Sequence, residues 1–147
     1  MKRRIHICSG QFGDRPFQEM CSTMSKIGYQ GLEVAIQAHL EVEKAVSSAD
    51  YVKEWQGSLE RHDMKAGTLS AHLMGQCVGD NYDQRLDNFA PERFAGKPEE
   101  IRKWAIEGMM TTAQAAHRLG IDVVSWFLGS PIWAYWYSFP QTPKSMV

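Results

Sequence analysis

GYQGLEVAI, Gly28 to Ile36, joins the end of one kind of local structure to the start of another. Ahead of it, Phe17, Met20, Cys21, Met24 and Ile27 recur at helical spacing, with Asp14 and Pro16 as start signals. Gly28 is the stop. Gly31 to Ile36 is then short and β-prone, which predicts a strand, with one carboxylate, Glu33, inside an otherwise apolar run. Upstream of the helix, RIHICS (Arg4 to Ser9) is bounded by Gly10 and predicts another strand. The pattern is strand, amphipathic helix, strand.

The same pair recurs downstream. Tyr51, Val52, Trp55 and Leu59 predict a helix from about Asp50 to His62, and KAGTLSA (Lys65 to Ala71) a third strand weakened by Gly67. A long connection, His72 to Lys97, carries a short helix around Tyr82 to Phe89. Pro98 opens the most regular helix of the chain, with Ile101, Trp104, Ala105, Gly108, Met109, Thr112, Ala116 and Leu119 on one face and Gly120 as its stop. IDVVSWF (Ile121 to Phe127) is the fourth predicted strand. Alternating strands and helices imply right-handed crossovers and a parallel sheet, either open and doubly wound or part of a closed eight-unit barrel. The turn after the first strand, SGQFGDRP, lacks the G-x-G-x-x-G spacing of a dinucleotide site, and no Walker-type phosphate loop occurs.

Bulk properties fit one globular domain. The chain has 147 residues, 44% hydrophobic and 22% charged, with a formal net charge of −1. No basic stripe asks for nucleic acid. Cys8, Cys21 and Cys77 are odd in number and lack metal-like spacing, so free thiols in a reducing cytoplasm are expected. MKRRIHICSG has no apolar stretch long enough for a signal peptide. IDVVSWFLGSPIWAYWYSF has the length of a membrane span but contains Asp122, Gly129 and Pro131, and strand followed by loop explains it better.

ICSGQFGDRPF, GYQGLEVA, SAHLMGQ with its acidic and aromatic insertion, LGIDVVSWFLGSPIW and YSFPQTP resemble, in order, successive segments of the sugar phosphate isomerase/epimerase family with the xylose isomerase-like barrel. The resemblance implies the N-terminal half of a (β/α)8 TIM barrel, ending after the fourth strand and its loop, and a small-molecule sugar or sugar-phosphate substrate. It implies aldose–ketose isomerisation or epimerisation by proton transfer next to a carbonyl. Family members use a divalent metal (Mn, Co, Mg or Zn) held by Glu, Asp, His and a second Glu from later strands. None of those four ligands has a counterpart here, so the isolated chain is expected to be inactive. A metal-dependent endonuclease-like hydrolase on the same barrel is the alternative chemistry. A non-catalytic half-barrel that associates with itself through its open sheet edges is the alternative of another class.

In such a barrel the site lies at the C-terminal ends of the strands. Gln11 and Phe12 follow the first strand, and Ser130 and Trp133 follow the fourth. His72, after the third strand, is the candidate catalytic and substrate-binding residue, able to exchange a proton or hydrogen-bond a sugar hydroxyl; its alternative is a cap on the strand end. Glu33 would hold a hydroxyl and face the barrel interior if Leu32 and Val34 face the helices, or else pair with a neighbour such as Arg4. His39, in the loop QAHLEVEKA, could bind substrate or simply be solvated. His6 is expected to be an interior residue. Trp133 could stack on the C–H face of a sugar, whereas Trp136, Tyr137 and Phe139 fit packing. Asp80, Asp83 and Asp87 do not match a calcium loop and suit a solvated acidic helix with Arg85 as an internal partner.

Overall fold

The computed structural model describes residues 4–131. Its strands are β1 (His6–Cys8), β2 (Gly31–Ala35), β3 (Lys65–Ser70) and β4 (Val124–Ser125), and they form one parallel sheet in the order β1-β2-β3-β4. The helices are α1 (Phe17–Ile27), α2 (Ile36–His39), α3 (Val42–Ser47), α4 (Ala49–Glu60), α5 (His72–Gly79) and α6 (Pro98–Leu119), with short 3-10 turns at Ser9–Phe12, Gln84–Phe89 and Glu92–Phe94. The α/β class and the parallel sheet alternating with helices are as expected, and the arrangement is compatible with half of a barrel. Among the described residues no helix is long and apolar enough to cross a membrane.

Trp133 and the aromatic residues after it lie outside the described residues.

Two compact units are distinguished, one of residues 4–71 and 111–125, the other of residues 72–110 and 126–131. The first holds the whole sheet. Monotonic strand order with right-handed crossovers sends the crossover helices to one side. Leu32, Val34 and Leu69 are fully buried on that side, as are Met20 and Cys21 of α1, and Trp55 and Leu59 of α4 are buried with them. Side chains alternate along a strand, so Glu33 and Thr68 project from the other face. The core of the second unit is Cys77, Leu86, Ile101 and Ala105, flanked by Met74, Val78, Phe89, Phe94 and Trp104.

Local chemistry sets the helix ends. Gly28 adopts φ 112°, and its N–H donates to the carbonyls of Met24 and Ser25, closing α1 in the left-handed conformation that glycine favours. Ser48 caps α4 by accepting from the Tyr51 N–H. Between β2 and β3 the register shifts, with Leu32 opposite Ala66 but Glu33 opposite Thr68, which leaves Gly67 as an extra residue in β3. The His6 ring lies over this place. A Cβ at Gly31 would be 2.5 Å from its Nε2 and 2.6 Å from the Lys65 carbonyl oxygen, and a Cβ at Gly67 would strike the ring edge. Both glycines therefore make room for one imidazole.

Three segments differ from expectation. Ile36, expected to end the second strand, opens α2, and the expected loop of residues 37–45 falls largely in α2 and α3; α2 is held by tertiary bonds around His39, and α3 buries Val42 and Ala45. The chain from His72 to Gly79 is helical rather than irregular, and its glycines serve packing. β4 is only Val124–Ser125, because β3 ends at Ser70 and offers no partner beyond Ala71.

Candidate functional site

The face of the sheet opposite the crossover helices is built in layers. The lowest is His6 over Gly31 and Gly67. Cys8, Glu33 and Thr68 stand side by side in the next, since Cys8 pairs with Glu33 and Glu33 with Thr68. Ala35, Ser70 and Ser125 form the layer at the C-terminal ends of the strands. Glu33 is half-buried, and no hydrogen bond or ion pair engages its carboxylate among the described residues; Arg4 does not pair with it. Ser125 Oγ is buried without a hydrogen-bond partner among the described residues. A carboxylate left half-buried without a counter-charge is costly unless a ligand uses it.

His39 is placed differently from the loop residue expected. It ends α2, is 6% exposed, and both ring nitrogens are engaged, Nδ1 with Ser9 Oγ at 3.0 Å and Nε2 with the Arg15 carbonyl oxygen at 3.1 Å. A carbonyl only accepts, so Nε2 carries the proton. In the neutral ring Nδ1 then accepts from the Ser9 hydroxyl, while Ser9 Oγ accepts the Ala35 N–H at 2.9 Å. The Trp55 indole N–H donates to the His39 carbonyl at 3.0 Å, and Phe17 stacks on Trp55 at 4.8 Å. This network ties the ends of β1 and β2 to α1 and α4, and it leaves no ring nitrogen for a sugar hydroxyl.

His72 opens α5 in the second unit. Its ring stacks on Phe127 at 4.5 Å, and neither nitrogen has a hydrogen-bond partner among the described residues. Its side chain is half-buried. The segment that follows β4 is seated on α5: the Ser130 N–H donates to Asp80 Oδ1 at 2.6 Å, Gln76 Nε2 donates to Asp80 Oδ2 at 2.6 Å, and the Asn81 amide donates to the Pro131 carbonyl at 2.8 Å. Asp80 is thus a buried anchor for the loop containing Ser130, a role that its place in an acidic run concealed.

The other two aspartates are also engaged. Asp83 bonds Arg85, whose guanidinium holds the carboxyl below its usual range, and Asp87 accepts from the Tyr82 hydroxyl and the Gly96 N–H. Arg85 is the internal partner expected for this run. Among the described residues no group of three or more His, Cys, Asp or Glu side chains is placed to hold a metal ion. With Asp80, Asp83 and Asp87 committed to protein partners, these residues do not fit a resident divalent metal.

No protein-family model matches this chain, and no curated protein is significantly similar to it.

The cysteines are free. Burial pushes the thiols of Cys21 and Cys77 up to about 12, so neither forms thiolate near neutral pH. Only Cys8, half-buried beside Glu33, is open to reagent. Titration of the native chain with a thiol-reactive disulfide should consume one thiol rapidly and the other two only on unfolding. Rapid reaction of all three would contradict the burial of Cys21 and Cys77.

Proposed function

We propose that the sheet face opposite the crossover helices is the substrate-holding half of a sugar or sugar-phosphate isomerase or epimerase site. The observation that carries this reading is Glu33, a half-buried carboxylate without an ion-pair partner among the described residues, set between Cys8 and Thr68 and below Ser70 and Ser125. A polyol offers what this surface lacks. One of its hydroxyls donates to Glu33, and Thr68 stands close enough in the sheet to receive or donate a second bond. The resemblance of the quoted segments to the sugar phosphate isomerase/epimerase family supports the same substrate class. In the second unit, taken by itself, His72 has no hydrogen-bond partner at either ring nitrogen among the described residues and is the candidate for proton exchange with a hydroxyl. Free thiols, two of them deeply buried, suit a reducing cytoplasmic compartment.

Ligand-detected NMR and calorimetry with a panel of ketohexoses, aldohexoses and their phosphates test this function. The wild-type chain is expected to bind one class, and Glu33→Gln to weaken it by about tenfold to a hundredfold, the equivalent of losing one charge-assisted hydrogen bond. Binding that is identical in Glu33→Gln, or no binding of any sugar by the folded chain, would exclude the proposal.

A further inference from the structure

The two ends of the sheet are complementary. At one, the Leu69 N–H donates to the Val123 carbonyl at 3.0 Å and the Ala71 N–H to the Ser125 carbonyl at 2.9 Å, so backbone alternation turns the N–H and C=O of Val124 to the outer edge. At the other, the Gln30 N–H donates to the Ile5 carbonyl at 3.0 Å, so the N–H and C=O of His6 turn outward. Both edges are unpaired among the described residues. Laid beside β4 in parallel, a β1 strand continues the existing order without reversal.

The flanking side chains match too. Beside β4, on the helix-covered side, a groove of about 550 Å³ is lined by Ala113, Ala116, Ile121 and Val124, with His117 and Asp122 at its rim. Ile5, one residue ahead of β1 and on the helix-covered side by alternation, is 62% exposed. An aliphatic side chain faces an aliphatic groove.

We infer that two copies of this chain associate by pairing the β1 edge of each with the β4 edge of the other, Ile5 entering the Ala113–Ala116–Ile121–Val124 groove. Two such seams close eight parallel strands around a two-fold axis, the strand number at which a parallel barrel fills its own interior. The faces bearing Glu33 and Ser125 then become one enclosed lumen. The closure also removes the exposed edges that would otherwise recruit other strands. This inference stands on the edges alone and not on the identity of the ligand.

Light scattering coupled to size exclusion, run on the full chain over a range of concentrations, tests it. About twice the mass of one chain is expected. Ile5→Asp, which sets a carboxylate against the aliphatic groove, should weaken the dimer by about tenfold or more. Circular dichroism checks that the variant is folded. If Ile5→Asp unfolds the chain, Val124→Pro decides, because it removes an outward N–H and leaves the bonds to β3 in place. A monomer at every concentration, or a dimer indifferent to these changes, would overturn the inference. Sugar binding by a monomer would overturn this inference alone, whereas a dimer broken by Ile5→Asp that binds no sugar would overturn only the proposed function.

Discussion

Substitution of His39 by alanine should lower the stability of the fold by about 3 kcal/mol, a large share of what a domain of this size has. The ring fills a buried position against Phe17, centroids 5.9 Å apart, and closes a chain of bonds from the Ala35 N–H through Ser9 Oγ to the imidazole and on to the Arg15 carbonyl. Without the ring the Arg15 carbonyl can turn to water. The Ser9 hydroxyl cannot, because Ser9 is fully buried, and orphaning it costs about 1–3 kcal/mol. The cavity left by the ring adds a similar amount. Ser9→Ala breaks the same chain from its other end and leaves the Ala35 N–H unsatisfied, so about 2 kcal/mol is expected there. Denaturant titration measures both as shifts of midpoint at constant slope. A loss below about 1 kcal/mol for His39→Ala would show that the network is ornamental to stability.

That network is where sequence reasoning met its limit. His39 stands in QAHLEVEKA, a polar stretch too short for a helical apolar period, so only its residue type was legible and it suggested a ligand contact. Its burial follows from partners that are distant in sequence: Ser9, 30 positions away, and Arg15, 24 away. Where the deciding signal was local, the reading carried through. Pro16 and Gly28 bound α1, Pro98 and Gly120 bound α6, and Gly120 takes φ 68° as a helix stop should. The alternation Leu32, Glu33, Val34 places Glu33 on the face opposite the helices, since both aliphatic neighbours are fully buried against them. Asp80 was hidden for the opposite reason: it lies in a run of carboxylates, and nothing local tells the one that anchors Ser130 from those that bond Arg85 and Tyr82.

Glycine inside a helix ordinarily marks a weak point, and replacing it by alanine gains roughly 1 kcal/mol. Gly75 in α5 should behave in the opposite sense. A Cβ there would fall on the Phe127 carbonyl oxygen, deep inside contact distance, with the Phe127 carbonyl carbon at 3.1 Å and the Trp126 Cβ at 3.2 Å. The obstacle is backbone, and it is pinned on both sides, by the His72–Phe127 stack and by the bond from the Ser130 N–H to Asp80. Relief therefore requires the segment after β4 to lift from the helix. Overpacking of this kind costs about 1–3 kcal/mol or more, which exceeds the propensity gain, and a net loss of about 2 kcal/mol is expected for Gly75→Ala. Gly108 in α6 is the control: the three atoms nearest a Cβ there belong to the Met74 side chain, Sδ at 2.5 Å, which is flexible and can turn aside. Gly108→Ala should stay within about 1 kcal/mol of wild type. Amide exchange separates the causes, since a lifted segment exposes the Ser130 N–H while the amides of β2 and β3 keep their protection. If Gly75→Ala stabilised the chain as propensity alone predicts, the carbonyl would have to lie elsewhere, and with it the loop that Asp80 holds.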